Sequence, residues 1–189
     1  MSQSTIETKI QKGINGVDVV RLKETCGAVT EQPSLAQFKF RASNQWQDGA
    51  HNRTRIDGYF GAHEEISHDR PYELDVDEPP ALLGRGIAAN PAEYLLTALS
   101  SCMTTSLVYH AAAKGIQVEN VESDYEGDID LRGFLNLDPN IRKGYEEIRV
   151  RFRVKSDADG EKLRELVKHS PIWDVVRNPT PVKVEFVTE

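Results

Sequence analysis

Apolar residues recur at helical spacing near the start of the chain. Residues 17–29 place valine, leucine and alanine among charged side chains, a pattern that predicts an amphipathic helix. Pro33 predicts the end of this helix, because proline lacks the backbone N–H that a continuing helix needs. We therefore expect residues 1–35 to form an N-terminal helical extension and residues 36–189 to form the main domain.

Strict alternation of apolar and polar residues, the pattern of a strand, begins directly afterwards. Residues 38–42 alternate in this way, Asp48-Gly49 is a typical hairpin turn, and residues 53–60 can return as the second strand. Residues 63–90 are rich in Asp, Glu, Pro and Gly. This composition predicts an ordered loop with room for one short strand.

The longest helical pattern comes next. Asn90 suits the N-cap and Pro91 the first helical position, while Lys114-Gly115 supplies a cation and a terminal glycine. A helix over residues 92–114 would be about 35 Å long, against a radius of gyration of about 16 Å for a domain of this size. Apolar residues on nearly every face predict that it runs through the centre of the molecule. One small sheet could not cover such a helix, which predicts an obligate homodimer.

Two further strand patterns carry opposite charges. The even positions of residues 121–131 are acidic, whereas the odd positions of residues 148–155 include three arginines and the even positions are apolar. The two charged sets are Glu122, Asp124, Glu126, Asp128 and Asp130, and Arg149, Arg151 and Arg153. An antiparallel pair would set these rows side by side on a solvent-exposed face. A phosphate-binding arginine stripe is the alternative, and the acidic row beside it disfavours that interpretation.

The remaining patterns complete an α+β fold. Residues 158–169 predict an amphipathic helix, Ser170-Pro171 predicts a capped second helix, and the alternation of residues 182–186 predicts a last strand. Strand patterns before and after one long helix predict antiparallel sheets packed around a central helix.

Composition and charge limit the function. A net charge of -7 disfavours nucleic-acid binding, which needs a basic surface. Two cysteines cannot build a disulfide framework and the N-terminus has no apolar signal region, so a cytoplasmic protein is expected. Residues 94–113 carry no charge apart from His110, but six of these twenty are serine or threonine, which disfavours a membrane span.

Metal and cofactor chemistry has little support in the sequence. His63 and His68 lie five positions apart, whereas two ligands on one helix face need a spacing of four. Neither glycine-rich phosphate loops nor a serine-nucleophile motif is present. We expect no metal and no cofactor.

Cys102 lies in the middle of the long helix and allows two interpretations. A free cysteine is often a small buried residue that fills a gap in the core. Alternatively Cys102 is a thiolate nucleophile on a stripe with Leu95, Leu99, Ser106 and Tyr109. It is too far from the helix start to gain from the helix dipole, so a reactive thiol would need a cation from elsewhere in the fold.

Several short motifs in a fixed order resemble those of one known family. They are Asn-Pro-Ala-Glu-Tyr-Leu-Leu at 90–96, Ala-Leu-Ser-Ser-Cys at 98–102, Ala-Ala-Lys-Gly-Ile at 112–116, Ile-Arg-Val at 148–150, Ser-Asp-Ala at 156–158 and Pro-Val-Lys-Val at 181–184. This order is similar to that of the OsmC/Ohr family over roughly residues 36–187. The resemblance implies an OsmC-like fold and an intertwined homodimer in which each sheet takes strands from both chains.

The resemblance also implies a chemistry. Catalytic members reduce hydroperoxides with the helix cysteine, which becomes a sulfenic acid and is resolved by a second cysteine. Cys102 matches the reacting cysteine, but Ser170 stands where the resolving cysteine belongs. A divergent branch that uses an external thiol as the reductant is therefore expected.

An arginine and a glutamate hold the thiolate in the best-known members. The glutamate position falls on Ala92, with Glu93 adjacent, and the arginine position falls on the first hairpin, with Arg53 and Arg55 nearby. The resemblance thus marks Cys102, Glu93, Arg53 and Arg55 as candidate catalytic residues. Candidate peroxide-binding side chains are Ser101, Thr105 and Ser106.

Two functions stay open. One is a one-cysteine, thiol-dependent peroxidase that reduces organic hydroperoxides in oxidative-stress defence. The other is a non-catalytic family member that binds a small apolar ligand in the dimer cleft or is purely structural. The partners expected are a second copy, a peroxide and a thiol, with neither nucleic acid nor membrane.

Overall fold

The computed structural model describes residues 13–188, which form two compact units. One unit comprises residues 18–97, and the other joins residues 13–17 to residues 98–188. The first twelve residues of the predicted extension lie outside the described residues, and the predicted domain boundary at residue 35 stays a prediction.

The predicted N-terminal helix is confirmed as α1, Val19–Glu31. The Asp18 carboxylate accepts a hydrogen bond of 3.0 Å from the backbone N–H of Arg21 and so caps its first turn. The helix stops before Pro33, as predicted, and a 3-10 turn follows at Pro33–Ala36.

A four-stranded antiparallel sheet forms most of the first unit. Its strands are β1 (Lys39–Phe40), β2 (Ser43–Asp48), β3 (His51–Gly61) and β4 (Glu64–Val76). Strands β1, β2 and β4 all pair with β3. The predicted hairpin is confirmed, since Asp48 pairs with His51 across a two-residue turn. Gly49 in that turn has φ 57°, a left-handed conformation that glycine adopts without strain.

The expectation of a loop over residues 63–90 is wrong for its first half, where β4 runs for 13 residues. Pro71 lies where the β3–β4 register shifts, between the pairs Ile56–Tyr72 and Gly58–Ser67. Proline is tolerated at such an irregularity because no ladder N–H is required there. Composition alone therefore suggested a loop where the backbone forms a bulged strand.

The segment after β4 is ordered around a buried carboxylate, as predicted for the second half of that region. Asp77 is buried, and its carboxylate accepts hydrogen bonds from the backbone N–H groups of Arg85 (3.0 Å) and Ile87 (3.3 Å). Burial raises the pKa of this carboxyl, but the backbone hydrogen bonds outweigh burial and lower the pKa overall. Asp77 thus fixes the approach to the long helix.

The long helix is α2, Pro91–Ala113, and both predicted ends are confirmed. Gly115 has φ 73°, and the N–H of Ile116 donates to the carbonyl of Ala111 at 2.9 Å, which closes the helix with a glycine cap. Its buried residues are Leu99, Met103, Leu107, Ala111 and Ala112. Leu95 and Tyr109 on the same helix remain exposed, so a single chain does not cover every apolar face of α2.

The charged strands are confirmed as an antiparallel pair, β5 (Val118–Asp128) and β6 (Glu147–Ser156). Glu122 lies opposite Arg153, and Glu126 lies opposite Arg149. Arg149 also contacts Asp128 at 2.5 Å, so one guanidinium bridges several carboxylates. The rows face solvent, as the alternation predicted.

Asp130, which the sequence placed in the acidic row, lies outside the strand. Its carboxylate caps the short helix α3, Leu131–Phe134, and pairs with Arg132. Hydrogen bonds from the Arg132 side chain and backbone lower the pKa of Asp130 to about 2. The acidic alternation of the sequence thus extends one position beyond the strand, to the residue that caps α3.

Reversing one charge of the exposed rows is expected to change stability little. Both partners of each ion pair are exposed to solvent, so such pairs contribute little to stability. Arg151→Glu should therefore shift the Tm by no more than about 4 °C. Val154→Glu on the opposite, core-facing side of β6 is the matched control and should lower the Tm several times more. Thermal unfolding of both variants tests this, and similar losses would contradict a solvated charge face.

The last two predicted helices are confirmed as α4 (Gly160–Val167) and α5 (Pro171–Arg177). Asp159 caps α4 by accepting from the N–H of Lys162, and Ser170 caps α5. A hydrophobic core joins one face of α2, the inner faces of β5 and β6, and α4. Its buried members are Leu99, Met103, Leu107, Ala111, Ile116, Leu163, Leu166 and Val167.

The predicted last strand is wrong for the single chain. Residues 181–188 form no regular structure, and Phe186 is 86% exposed. The apolar alternation of Val182, Val184 and Phe186 suits a strand, but a strand also needs an adjacent edge for its backbone hydrogen bonds. No described strand pairs with this segment.

Candidate functional site

Cys102 lies half-buried on α2, nine residues beyond Glu93. The next residue, Met103, faces the core, and a helix turns by about 100° per residue, so Cys102 lies beside the buried face of α2 and not on it. Ser101 and Thr105 are exposed and Ser106 is half-buried on the neighbouring turns. The predicted hydroxyl lining therefore lies on the same helix as the thiol.

Glu93 is engaged at the start of α2. Its carboxylate accepts a hydrogen bond from the N–H of Asn90, and the Asn90 side chain accepts one from the N–H of Glu93, both at 2.8 Å. This reciprocal capping box stabilises the first turn of the helix. Residues nine positions apart along a helix are separated by about 13 Å, so Glu93 does not contact Cys102 within one helix.

Arg53 and Arg55 lie on β3, each paired with carboxylates. The Arg53 guanidinium donates to Asp75 at 2.9 Å, and Arg55 contacts Asp57 at 2.8 Å and Glu73 at 3.5 Å. Both arginines belong to the unit of residues 18–97, whereas Cys102 belongs to the other unit. The structure therefore describes these predicted site residues in separate units.

A polar cluster at the first hairpin was missed by sequence reasoning. His51 Nε2 lies 2.8 Å from Asp75 Oδ1, and its Nδ1 lies 3.2 Å from the Arg85 guanidinium. Arg85 also approaches Asp48 at 3.7 Å. Hydrogen bonds from Arg53 first, and then from His51, lower the pKa of Asp75. Arg85 is thus an arginine held at the β2–β3 hairpin, although it is far from it in sequence.

The cluster is linked to the start of α2. The Tyr94 hydroxyl donates to the backbone carbonyl of Asp75 at 2.8 Å. No sequence motif marks His51, Asp75 and Arg85 as neighbours. The only signal is the β3–β4 register, which sets Arg53 opposite Asp75 once the strand β4 is known.

Ser170 serves a structural role at the start of α5. The side chain is buried, and its hydroxyl oxygen accepts a hydrogen bond of 3.2 Å from the N–H of Trp173. The preceding residue, His169, packs against His110 of α2, with ring centroids 4.3 Å apart and the ring planes tilted by 32°. The position that the resemblance assigned to a resolving cysteine is therefore a buried helix cap.

Acidification below pH 6.5 is expected to destabilise the protein through His110. Burial lowers the pKa of His110, and the neighbouring His169 and Lys114 lower it further. A histidine in the unfolded chain has a pKa of about 6.5. Below this pH the unfolded state therefore binds more protons than the folded state. The contribution of neutral His110 to stability is complete above that pH. It is lost as the pH falls through the pKa that His110 has in the folded state.

Urea unfolding at pH 7.5, 6.5 and 5.5 measures this effect. The slope of stability against pH in this range should flatten in His110→Phe, which keeps an aromatic ring against His169. The exposed residue Leu137 provides the control, because Leu137→Ala removes no titratable group and should leave the slope unchanged. An unchanged slope in His110→Phe would contradict the assignment.

Metal and membrane features can be stated for residues 13–188. No group of three or more His, Cys, Asp and Glu side chains within this range is arranged to hold a metal ion. His63 lies in a turn and His68 in β4. None of the helices in the same range combines the length and apolar character needed to cross a bilayer.

Comparison with known proteins identifies the class. The family model for OsmC-like proteins matches residues 84–185, which is more than half of the chain and includes all of α2 with Cys102. The chain therefore belongs to the OsmC-like protein family. A search of curated proteins found no match.

Solved structures support the fold. An OsmC-like protein from Mycoplasma pneumoniae is 15% identical, with a TM-score of 0.56, over 75% of this chain and 89% of its own. An OsmC-like protein of unknown function from Vibrio cholerae is 15% identical, with a TM-score of 0.53, over 71% of this chain and 90% of its own. At this identity the similarity establishes the α+β OsmC-like fold, as the sequence predicted.

Proposed function

We propose that this protein is a one-cysteine, thiol-dependent hydroperoxide reductase that acts in oxidative-stress defence. The observation that carries the proposal is the placement of Cys102, a free and half-buried thiol on α2 that is not among the residues this helix buries. A purely structural cysteine would be expected among the core residues that α2 buries. The family motifs around Cys102 support the same assignment.

The reaction needs only Cys102 and two external thiols. The Cys102 thiolate attacks an oxygen of the hydroperoxide, the O–O bond breaks, and the alkoxide takes a proton to leave as an alcohol. The first thiol attacks the sulfur of the resulting sulfenic acid, releases water and forms a mixed disulfide. A second thiol then displaces Cys102 and leaves as the oxidised disulfide. No cofactor takes part in this cycle.

An external thiol is required because the chain supplies no suitable second cysteine in the family position. Ser170 is a buried cap whose hydroxyl cannot condense with a sulfenic acid to a disulfide. Cys26 is exposed on α1, outside the segment that the family model matches. We expect peroxide treatment to form no Cys26–Cys102 disulfide in good yield.

Three arginines are candidates for stabilising the thiolate. Arg53 and Arg55 are each paired with carboxylates within hydrogen-bond distance, whereas the carboxylate contact of Arg85 is longer, at 3.7 Å. Arg85 therefore joins Arg53 and Arg55 as a candidate. Glu93, with Ser101, Thr105 and Ser106, remains in the proposed site, and any contact of Glu93 with a thiol must come from another copy.

We also propose an intertwined homodimer. Within residues 18–97 no large apolar side chain is fully buried, and Phe40 and Trp46 are 77% and 69% exposed. In the other unit, Tyr109 of α2 and the apolar side chains of Val182, Val184 and Phe186 are also exposed. Exposed apolar area of this kind is typical of an interface. Sedimentation should find a dimer at micromolar concentration, and a stable folded monomer would refute the proposal.

Mass spectrometry of Cys102 tests the chemistry. One equivalent of cumene hydroperoxide should add one oxygen to Cys102, and a small thiol added afterwards should convert this species to a mixed disulfide. Excess hydroperoxide without thiol should carry Cys102 on to sulfinic acid. A Cys102 that stays a free thiol in the folded protein would favour the non-catalytic alternative, in which the family fold binds a small apolar ligand.

The cytoplasm is the compartment we propose. Both cysteines are free, and a cycle that depends on external thiols needs a reducing environment with a thiol pool.

A further inference from the structure

A cavity of about 440 Å³ lies entirely within the unit that contains Cys102. It lies between the buried face of α2, the core-facing side of β6 and one face of α4, and it is partly open to solvent. Its walls include Met103, Leu107, Phe152, Val154 and Leu163. Apolar cavities of about 300–1,000 Å³ with few polar groups are typical of small-molecule sites.

One charged side chain, Arg164 of α4, lines the cavity. Gly160, Leu163, Arg164 and Val167 recur at helical spacing, so a single face of α4 forms this wall. The Arg164 side chain is exposed, and no carboxylate within residues 13–188 lies within salt-bridge distance of it. The cavity therefore pairs lining side chains that are apolar, apart from Arg164, with an unneutralised guanidinium at its solvent side.

We propose that this cavity binds an amphipathic carboxylate, with its alkyl chain among the apolar walls and its carboxylate on Arg164. A guanidinium pairs with a carboxylate through two parallel hydrogen bonds, which an alcohol or a cation cannot form. A small inorganic anion is disfavoured because a single exposed guanidinium would hold it without any apolar contact.

This site is separate from the thiol. Met103 lines the cavity, and Cys102, the preceding residue, is turned about 100° away around the helix. Binding therefore does not depend on the peroxidase chemistry. The Cys102→Ser variant is the suitable background for the experiment, because it should bind the carboxylate without any oxidation.

The experiment is calorimetric titration of the full-length Cys102→Ser protein with straight-chain carboxylates from butanoate to dodecanoate, each below its micellar concentration. Affinity should rise by about fourfold per methylene and then stop rising when the cavity is full. Decan-1-ol, which has the same chain as decanoate without the charge, should bind at least about tenfold more weakly. Equal affinity for the two would overturn the proposal.

Matched variants separate this cavity from surface adsorption. Arg164→Gln should weaken decanoate binding about tenfold, whereas Lys162→Gln, the same charge change outside the cavity on the same helix, should not. Ala158→Leu should fill the cavity and reduce binding further. If this variant does not fold, Arg164→Lys replaces it, and this change should restore part of the affinity lost in Arg164→Gln.

Two further outcomes would overturn the proposal. Equal losses in Arg164→Gln and Lys162→Gln would indicate general charge attraction. If decanoate bound only after deletion of residues 182–189, the occupant of the cavity would be the apolar terminal segment of the chain itself.

Discussion

Replacing Cys102 with serine is expected to lower the thiol-dependent reduction of cumene hydroperoxide by at least about a thousandfold. A serine hydroxyl stays protonated near neutral pH and forms no sulfenic acid, so neither half of the cycle can proceed. Cys26→Ser is the matched control and should keep the full rate, because Cys26 lies on α1 outside the family-matched segment. Consumption of peroxide at saturating thiol is the measurement.

The two variants distinguish which cysteine carries the activity. A rate that survives Cys102→Ser and falls in Cys26→Ser would transfer the activity to Cys26. A wild-type rate no greater than that of free thiol would remove the peroxidase function altogether. In that second case the family assignment would stand, because it depends on the match over residues 84–185.

Truncating Leu166 to alanine is expected to lower the free energy of unfolding by about 2–5 kcal/mol. Leu166 on α4 is 0% exposed and belongs to the core that joins α2 to the β5–β6 pair. The loss combines the transfer of the missing methyl groups with the cost of the void that they leave. Chemical unfolding at one fixed protein concentration is the measurement, because dimer formation would couple stability to concentration.

Leu137→Ala serves as the control for Leu166→Ala. Leu137 is 70% exposed, so its truncation should cost only a small fraction of the buried loss. Comparable losses at the two positions would mean that Leu137 is covered in the assembled protein and would identify its surroundings as an interface.

The elements that were predicted from caps and turn residues are confirmed. Asn90 and Pro91 start α2, Gly115 ends it, and Asp48-Gly49 marks the hairpin, because caps and turns are set by the residues that form them. The β5–β6 pairing was also predictable, since complementary rows of charge favour adjacent antiparallel strands with both rows on the solvent face. Both signals are carried by short stretches of sequence.

The failures share a different cause. Strand β4 was missed because its partner β3 supplies the ladder that holds an acidic, proline-containing segment in extended form. The strand expected over residues 182–186 has the apolar pattern but no partner among the described strands. Composition and alternation do not report whether an edge is available, and that availability decides whether such a segment is a strand.

The candidate site shows the same limit. Cys102 could be located from sequence, because the motifs around it lie on one helix. The cluster of His51, Asp75 and Arg85 could not, since it depends on a bulged strand and on a segment held by Asp77. Arg85 reaches the hairpin only through that segment, whose order comes from a buried carboxylate.

The buried cap at Ser170 also constrains how this chain can evolve. A cysteine arising there by mutation would replace a good acceptor with a weak one at the start of α5, at a cost of about 1 kcal/mol. The new thiol would be buried, so under the proposed mechanism it would cost stability before it could resolve a sulfenic acid on Cys102.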